Sequence, residues 1–320
     1  MTPTRATDVL TRDEIQSLTA RSDARGALAV ATTLGIIAGS MALVAISPSV
    51  WAVLLAMILI GGRHLGLAIL LHECAHRSLF KTPWLNDMVG TWICGAPTGN
   101  RLSRYRKHHI KHHRHTGSED DPDLGLVRPF PTTRRSMARK IRRDLIGVTG
   151  VKRIIAILMM DLGYLRYTAS VDPERIDQTD RTPRDRLRDF VKHTGPTLLT
   201  NGMLLGILTV LGHPLLYLLW VGAYLTTYSL FLRLRSIAEH ACMPDPTDPF
   251  RGTRTTRANL LARLTVAPHH VNYHLEHHLL MTVPHYHLPR MHRLLQERGA
   301  LPAVSVAPHY RAVLRQVTAG

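Results

Sequence analysis

The stretch 51-WAVLLAMILIGGRHLGLAILLHECAH-76 decides the fold. Up to Leu71 it is apolar, interrupted only by Arg63 and His64, and it then runs straight into HECAH. Twenty-one helical residues rise about 1.5 Å each and reach about 31 Å, the thickness of a bilayer core. Residues 51 to 71 therefore read as a membrane span that ends on His72 and His76. Four positions apart on a helix, these two imidazoles share one face.

Outward from this segment the pattern repeats. Residues 27 to 47 carry no charge over 21 positions and precede Pro48, so they read as a span that turns back into the first. Residues 196 to 212 and 215 to 232 form a second such pair, with Gly212, His213 and Pro214 between them. The expectation is an all-α integral membrane protein with four transmembrane helices arranged as two hairpins. Residues 1 to 26 read as a cytoplasmic leader, mobile or interfacial, and lack the cleavage pattern of a secretory signal. Residues 27 to 320 read as one membrane domain, with a cytoplasmic helical cap drawn from 72–195 and 233–320.

Composition excludes several classes. The 320 residues are 45% hydrophobic, too apolar for a disordered chain, and hold only Cys74, Cys94 and Cys242 without a CxxC pair. Neither a disulfide framework nor a thiolate zinc ribbon is supported. The formal charge is +17, and residues 101 to 153 carry fifteen Lys or Arg against five Asp or Glu. The two hairpin turns carry neither Lys nor Arg. By the positive-inside rule the large loop and both termini face the cytoplasm. The cations read as partners of anionic membrane lipids. No nucleic acid partner is expected, because no stacking aromatics interleave with the basic run 134–143. Interfacial or re-entrant helices are expected near 84–98 and 151–165, and a surface connection over 168–190.

The twenty histidines fall into groups. His109, His112 and His113 have i, i+3, i+4 spacing, and His274, His277 and His278 repeat it. His240 stands alone after the fourth apolar stretch, preceded by Glu239. Every group falls on the cytoplasmic side of the topology derived from apolarity and charge. Eight unpaired imidazolium ions on one face would repel one another and depress their own pKa values, whereas a metal gives neutral imidazoles a reason to converge. HECAH alone matches the HExxH of zinc proteases, with the glutamate as general base. One catalytic zinc uses three protein ligands and leaves the other groups unexplained. Magnesium or calcium would call for oxygen ligands, and the thiolates of an iron–sulfur cluster are missing. Two non-haem irons suit about nine histidines best.

The boxes HECAH, HIKHH and HLEHH, with His240 and the paired hairpins, resemble the membrane fatty acid desaturase family over about residues 45–295. YRKHHIKHHRHTGSEDDPD, RSIAEHACMPD and APHHVNYHLEHHLLMTVPHYHLPRMHRLL are similar to bacterial acyl-lipid desaturases and their sphingolipid-desaturase-like relatives. The resemblance implies nine iron ligands: His72 and His76, then His109, His112 and His113, then His240, then His274, His277 and His278. His108 competes with His109, because spacing alone does not choose the ring that faces the metal. Glu73, Glu239 and Glu276 adjoin proposed ligands, and acids commonly accept the second imidazole N–H; ordinary salt bridges with the abundant arginines are the alternative. His115 and Asn272 are further candidates for contact with the ligand shell. Asp120, Asp121 and Asp123 are expected to orient their loop or meet cations. His269 and His270 are read as capping, His64 as tunnel lining, Cys74 as packing, His213 as lying on the opposite side, and His285, His287, His292 and His309 as surface or interfacial.

The resemblance further implies O₂-dependent desaturation of an acyl lipid or acyl-carrier substrate at two Fe ions. Its electrons would come from a separate ferredoxin or cytochrome b5 type protein with its reductase. An alkyl chain has no polar handle, so an apolar tunnel must fix the position of reaction, and Trp220, Tyr224, Tyr228 and Phe231 are candidates for its wall. A lipid hydroxylase on the same centre, a HExxH zinc protease and a non-catalytic metal-binding membrane protein remain as alternatives.

Overall fold

A computed structural model describes residues 5–320. A short helix α1 (Arg12–Leu18) precedes two long ones, α2 (Asp23–Ile46) and α3 (Val50–Ala75). Ser22 and Ser49 cap these two, each accepting from the backbone N–H three residues on, so the chain turns in only the three residues between them. The pair packs closely, burying Ala29, Ile37, Met41 and Val44 of α2 against Ala52, Ala56, Ile60 and Leu67 of α3. From Ile60 onward α3 is buried, whereas its first turns expose Trp51, Leu54 and Leu55, and α2 exposes Leu28, Leu34 and Leu43.

After α3 come α4 (Pro83–Met88), a π-helical turn Val89–Gly95, and α5 (Leu102–His115). Next are α6 (Leu124–Val127), the basic α7 (Arg134–Leu145) and α8 (Val148–Asp161). Trp84, Met88 and Trp92, and then Val151, Ile154 and Ile155, are exposed, in the two stretches where the sequence suggests interfacial helices. An irregular connection follows to α9 (Pro183–Val210), α10 (Tyr217–Leu225) and α11 (Thr227–His240). The cap is completed by α12 (Leu260–Leu264), α13 (His274–Leu279), α14 (Leu288–Glu297) and α15 (Tyr310–Val317), with parallel two-residue strands β1 (Thr255–Thr256) and β2 (Val306–Ala307).

Among the described residues three helical stretches are long and apolar enough to cross a membrane: Asp23–Ile46, Val50–Ala75 and Pro214–His240. The expected span at 196–212 is the second half of α9. Its helix starts at Pro183 with a Thr182–Asp185 capping box, and Thr194, Thr197, Thr200 and Asn201 dilute the apolar run. The expected span at 215–232 bends at Thr226, whose hydroxyl donates to the Gly222 carbonyl at 2.7 Å, and continues to His240.

The leader is not a loose arm over its described part. Ala6, Leu10 and Leu18 are buried against Val283, Leu288, Met291 and Leu295, and Arg298 of the C-terminal region donates to Glu14 at 2.6 Å. Residues 1–4 of that leader lie outside the described residues.

Candidate metal centre

Four helices bring the histidines together. Helix α3 ends on His72 with His76 as its C-cap, α5 contributes its inner face, α11 ends on His240, and α13 lies across them. Helix α13 is positioned by its neighbours. Thr256 N–H donates to the Asn272 carbonyl and Asn272 Nδ2 returns a bond to the Thr256 carbonyl, both at 3.0 Å.

The imidazoles form two groups. His72, His76, His109, His113 and His277 make the first; His112, His240, His274 and His278 make the second. Within each group one nitrogen per ring lies within 4.8 Å of all the others. His113 Nε2 faces both His109 Nε2 and His277 Nε2 at 3.0 Å, and His274 Nε2 faces His240 Nε2 at 2.8 Å. One ring hydrogen cannot serve two acceptors, and both nitrogens of His72, His76 Nε2 and His278 Nε2 have no hydrogen-bond partner. A transition ion about 2.1 Å from each nitrogen spaces ligands at right angles by about 3.0 Å. The donor set therefore fits a borderline transition metal in each group.

Electrostatics favour the neutral form of most of these rings. Burial, and then repulsion from neighbouring imidazoles, holds His109, His113, His274, His277 and His278 well below the ordinary histidine range. Burial also lowers His76, to about 4. His112 goes the other way. Burial would lower it, but the hydrogen bond to Asp121 and the charges of Asp123 and Asp121 raise it.

The surrounding carboxylates divide the work. Asp121 Oδ1 accepts from His112 Nδ1 at 2.8 Å, and Asp123 Oδ1 pairs with His108 Nε2 at 2.8 Å. His108 is thereby held outside both groups. Glu239 pairs with Arg235 at 2.5 Å and lies 3.4 Å from His274 Nδ1. Glu276, fully buried, accepts from Thr255 Oγ1 and from His292 Nδ1, the latter at 2.6 Å. His292 is thus a buried-network partner and not the surface residue the sequence suggests. Nothing in the local spacing announces it; it lies sixteen residues from Glu276.

Glu73 is 3.6 Å from His72 Nδ1, while Ser78 Oγ donates to it at 3.1 Å and His285 N–H at 2.8 Å. A protease base needs its carboxylate turned to a metal-bound water, and this one is taken up by Ser78 and the 285 loop. His115 belongs to neither imidazole group; its ring lines a shallow surface groove with Arg106, Lys107 and Lys111. Asn272 Nδ2 bonds the Thr256 carbonyl of strand β1 at 3.0 Å. His269 Nε2 bonds Thr33 Oγ1 at 2.7 Å, which ties the loop before α13 to α2.

A cavity of about 760 Å³ reaches the groups at His109, His112, His240 and His274. Its walls include Leu65, Ala68 and Ile69 of α3 and Ala156 and Ile157 of α8. Tyr224 and Tyr228 line it, as expected, and grip the Arg153 guanidinium between them at 4.5 Å from each ring. Trp220 and Phe231 are instead packed away, and so is His64, which bonds the Trp220 carbonyl at 3.1 Å. His64 of α3 packs on the Trp220 ring at 4.0 Å between centroids, and none of the three lines the cavity.

Sequence comparison agrees with this architecture. Residues 48–311 match the fatty acid desaturase family. The chain is 29% identical to a dihydrorhizobitoxine desaturase of Bradyrhizobium elkanii over 86% of its own length and 76% of that protein. It is 25% identical to an sn-1 oleoyl-lipid 12-desaturase of Anabaena variabilis, covering 79% of this chain and 71% of the other. A Delta(12)-acyl-lipid-desaturase of Punica granatum is 24% identical, with 78% and 67% covered. With two imidazole groups at the end of an apolar cavity and a family match over most of its residues, this oxidoreductase belongs to the fatty acid desaturase family.

Proposed function

We propose that this chain introduces a double bond into the acyl chain of a membrane lipid or acyl carrier, using O₂ and electrons from a separate carrier protein. The observation that carries this reading is the pair of imidazole groups opening onto an apolar cavity of about 760 Å³. In it, His72, His76, His109, His113 and His277 hold one iron, and His112, His240, His274 and His278 the other. Bound iron supplies the activation of O₂ and the removal of hydrogen from an unactivated methylene. Two substrate hydrogens, two electrons and two protons then balance one O₂ as two waters.

The chain's own residues do the rest. Leu65, Ala68, Ile69, Ala156 and Ile157 exclude water and take the alkyl chain in one direction, which fixes the reacting carbons by distance from the metal groups. Asp121 fixes the tautomer of His112 so that Nε2 is free to ligate. In this reading the chain crosses the membrane four times, residues 196–212 adding a span to the three long apolar stretches. Leu198, Leu199, Met203, Ile207 and Val210 are exposed there, an apolar face suited to lipid. The Lys and Arg excess of residues 101–153 supports a cytoplasmic position for the metal groups and both termini.

The test is lipid and product analysis of a host expressing the chain with and without a reductase and carrier. A new alkene, dependent on O₂, is expected. An alcohol in its place would transfer the reading to hydroxylation, and cleaved protein without O₂ consumption would overturn it.

A further inference from the structure

Helices α5 and α13 are the two elements that each supply imidazoles to both groups: His109, His113 and His112 from α5, and His277, His274 and His278 from α13. They differ in exposure. The first four residues of α13 are buried, whereas α5 turns Ser103, Lys107, Lys111 and Arg114 outward. These lie at helical spacing on one stripe, opposite the ligand-bearing face. The back of α5 is thus the water-exposed surface of an element shared by both groups.

That stripe is basic and uncompensated. Arg106 is engaged, donating to Asp87 at 2.7 Å and to the Cys74 and Ala75 carbonyls at 2.9 Å. Lys107, Lys111 and Arg114 form no ion pair among the described residues, and with Ile110 and His115 they line a shallow groove. No large hydrophobic residue is exposed between Trp92 and Leu145. Lipid-facing surface in this molecule is marked differently. On α7 and α8 the basic run 134–143 leads into exposed Leu145, Ile146, Val148 and Val151.

From this we infer that the outer face of α5 is the docking surface for a small acidic one-electron carrier protein. The inference rests on the desaturase reading, which requires an external reductant. Each encounter oxidises one carrier and leaves one electron at the metal groups, so two encounters serve one O₂. Fourteen helical residues span about 21 Å, suited to the small, transient interfaces of redox partners. Unpaired lysines and arginine supply steering by charge rather than tight binding.

The experiment uses the full chain in nanodiscs with two acidic probes, a plant-type ferredoxin and a soluble cytochrome b5 domain. Lys107→Glu/Lys111→Glu/Arg114→Glu is compared with Arg139→Glu/Arg142→Glu/Arg143→Glu on α7. Carrier binding to metal-free protein and the rate of carrier oxidation by iron-loaded protein are both read, at low and at moderate salt. The α5 variant is expected to lose at least about tenfold in both, with a flattened salt dependence, while the α7 variant keeps both. Single-turnover product after anaerobic dithionite reduction should be unchanged in the α5 variant. Wild-type rates in the α5 variant, loss confined to the α7 variant, or failure of both carriers to reduce wild-type protein that dithionite does activate would overturn the inference. So would loss of binding to anionic vesicles without loss of carrier oxidation, which would make the stripe a lipid contact. Absence of product in wild-type protein under dithionite would instead defeat the desaturase reading itself.

Discussion

Asp121 holds His112 from behind: its Oδ1 accepts the Nδ1 hydrogen at 2.8 Å while its Oδ2 accepts Gly117 N–H at 2.9 Å. Because an ionised carboxylate only accepts, the ring hydrogen sits on Nδ1 and the Nε2 lone pair points to the second imidazole group. Asp121→Ala should leave the helices in place and lower metal retention or turnover about 10- to 100-fold. Asp121→Asn, which keeps an oxygen acceptor, should lose less. Chelator competition on purified protein measures it, and an Ala variant that holds metal like the parent would remove Asp121 from this role.

The two groups should respond separately. His277 belongs to the first and His112 to the second, so each alanine variant should lose about half the metal and retain the metal of the other group. Turnover should be abolished in both, with membrane insertion intact, since neither residue lies on a lipid-facing surface. Elemental analysis alongside product assay decides this; activity surviving in both variants would reject the ligand assignment.

Much of the architecture is legible in the sequence because its signals are local. An uncharged run of helical length and imidazoles at i, i+3, i+4 state their own geometry, and the structure gathers those rings. What is not legible depends on distant partners. Leu10 and Leu18 look like stray apolar residues in a charged leader until Met291 and Leu295 cover them. His108 is paired with Asp123, fifteen residues away, while His109 lies in the first imidazole group. His292 acquires its role only when α14 brings it to Glu276. Helix α9 is harder still: threonines and Asn201 weaken its apolar signal, and Asn201 Oδ1 accepts from Tyr217 and Trp220 at 3.0 and 3.1 Å.

Close approach of helices gives a stability prediction. A Cβ on Gly62 would lie 2.1 Å from the Leu264 carbonyl oxygen, a backbone atom that cannot rotate away. The same end of α12 accepts Arg63 through the Arg263 and Leu264 carbonyls at 2.9 Å. Gly62→Ala should therefore cost about 1–3 kcal/mol through overpacking. Gly206, with nothing within 4 Å of its Cβ position, should accept alanine without loss. Thermal unfolding in detergent compares the two, and equal midpoints would contradict the close packing of α3 against the end of α12.

The loop that supports Glu73 makes a prediction about pH. Burial pushes the His285 imidazole down to about 3 from the usual 6.5, with His270 and His287 adding repulsion. The folded chain thus keeps this ring neutral where the unfolded chain takes up a proton. Above about pH 6.5 both states are neutral and the ring adds no pH dependence. As pH falls from there toward 3 the unfolded state binds the extra proton, and stability drops by up to about 1.4 kcal/mol per pH unit. Neither ring nitrogen of His285 has a hydrogen-bond partner, so His285→Leu abandons no bond and removes the titration. Its metal-free stability should fall less steeply than the parent's between pH 6.5 and 5, by about one proton's worth of slope. Denaturant titrations across that window measure the difference directly, and parallel curves would mean that His285 is not held neutral in the fold.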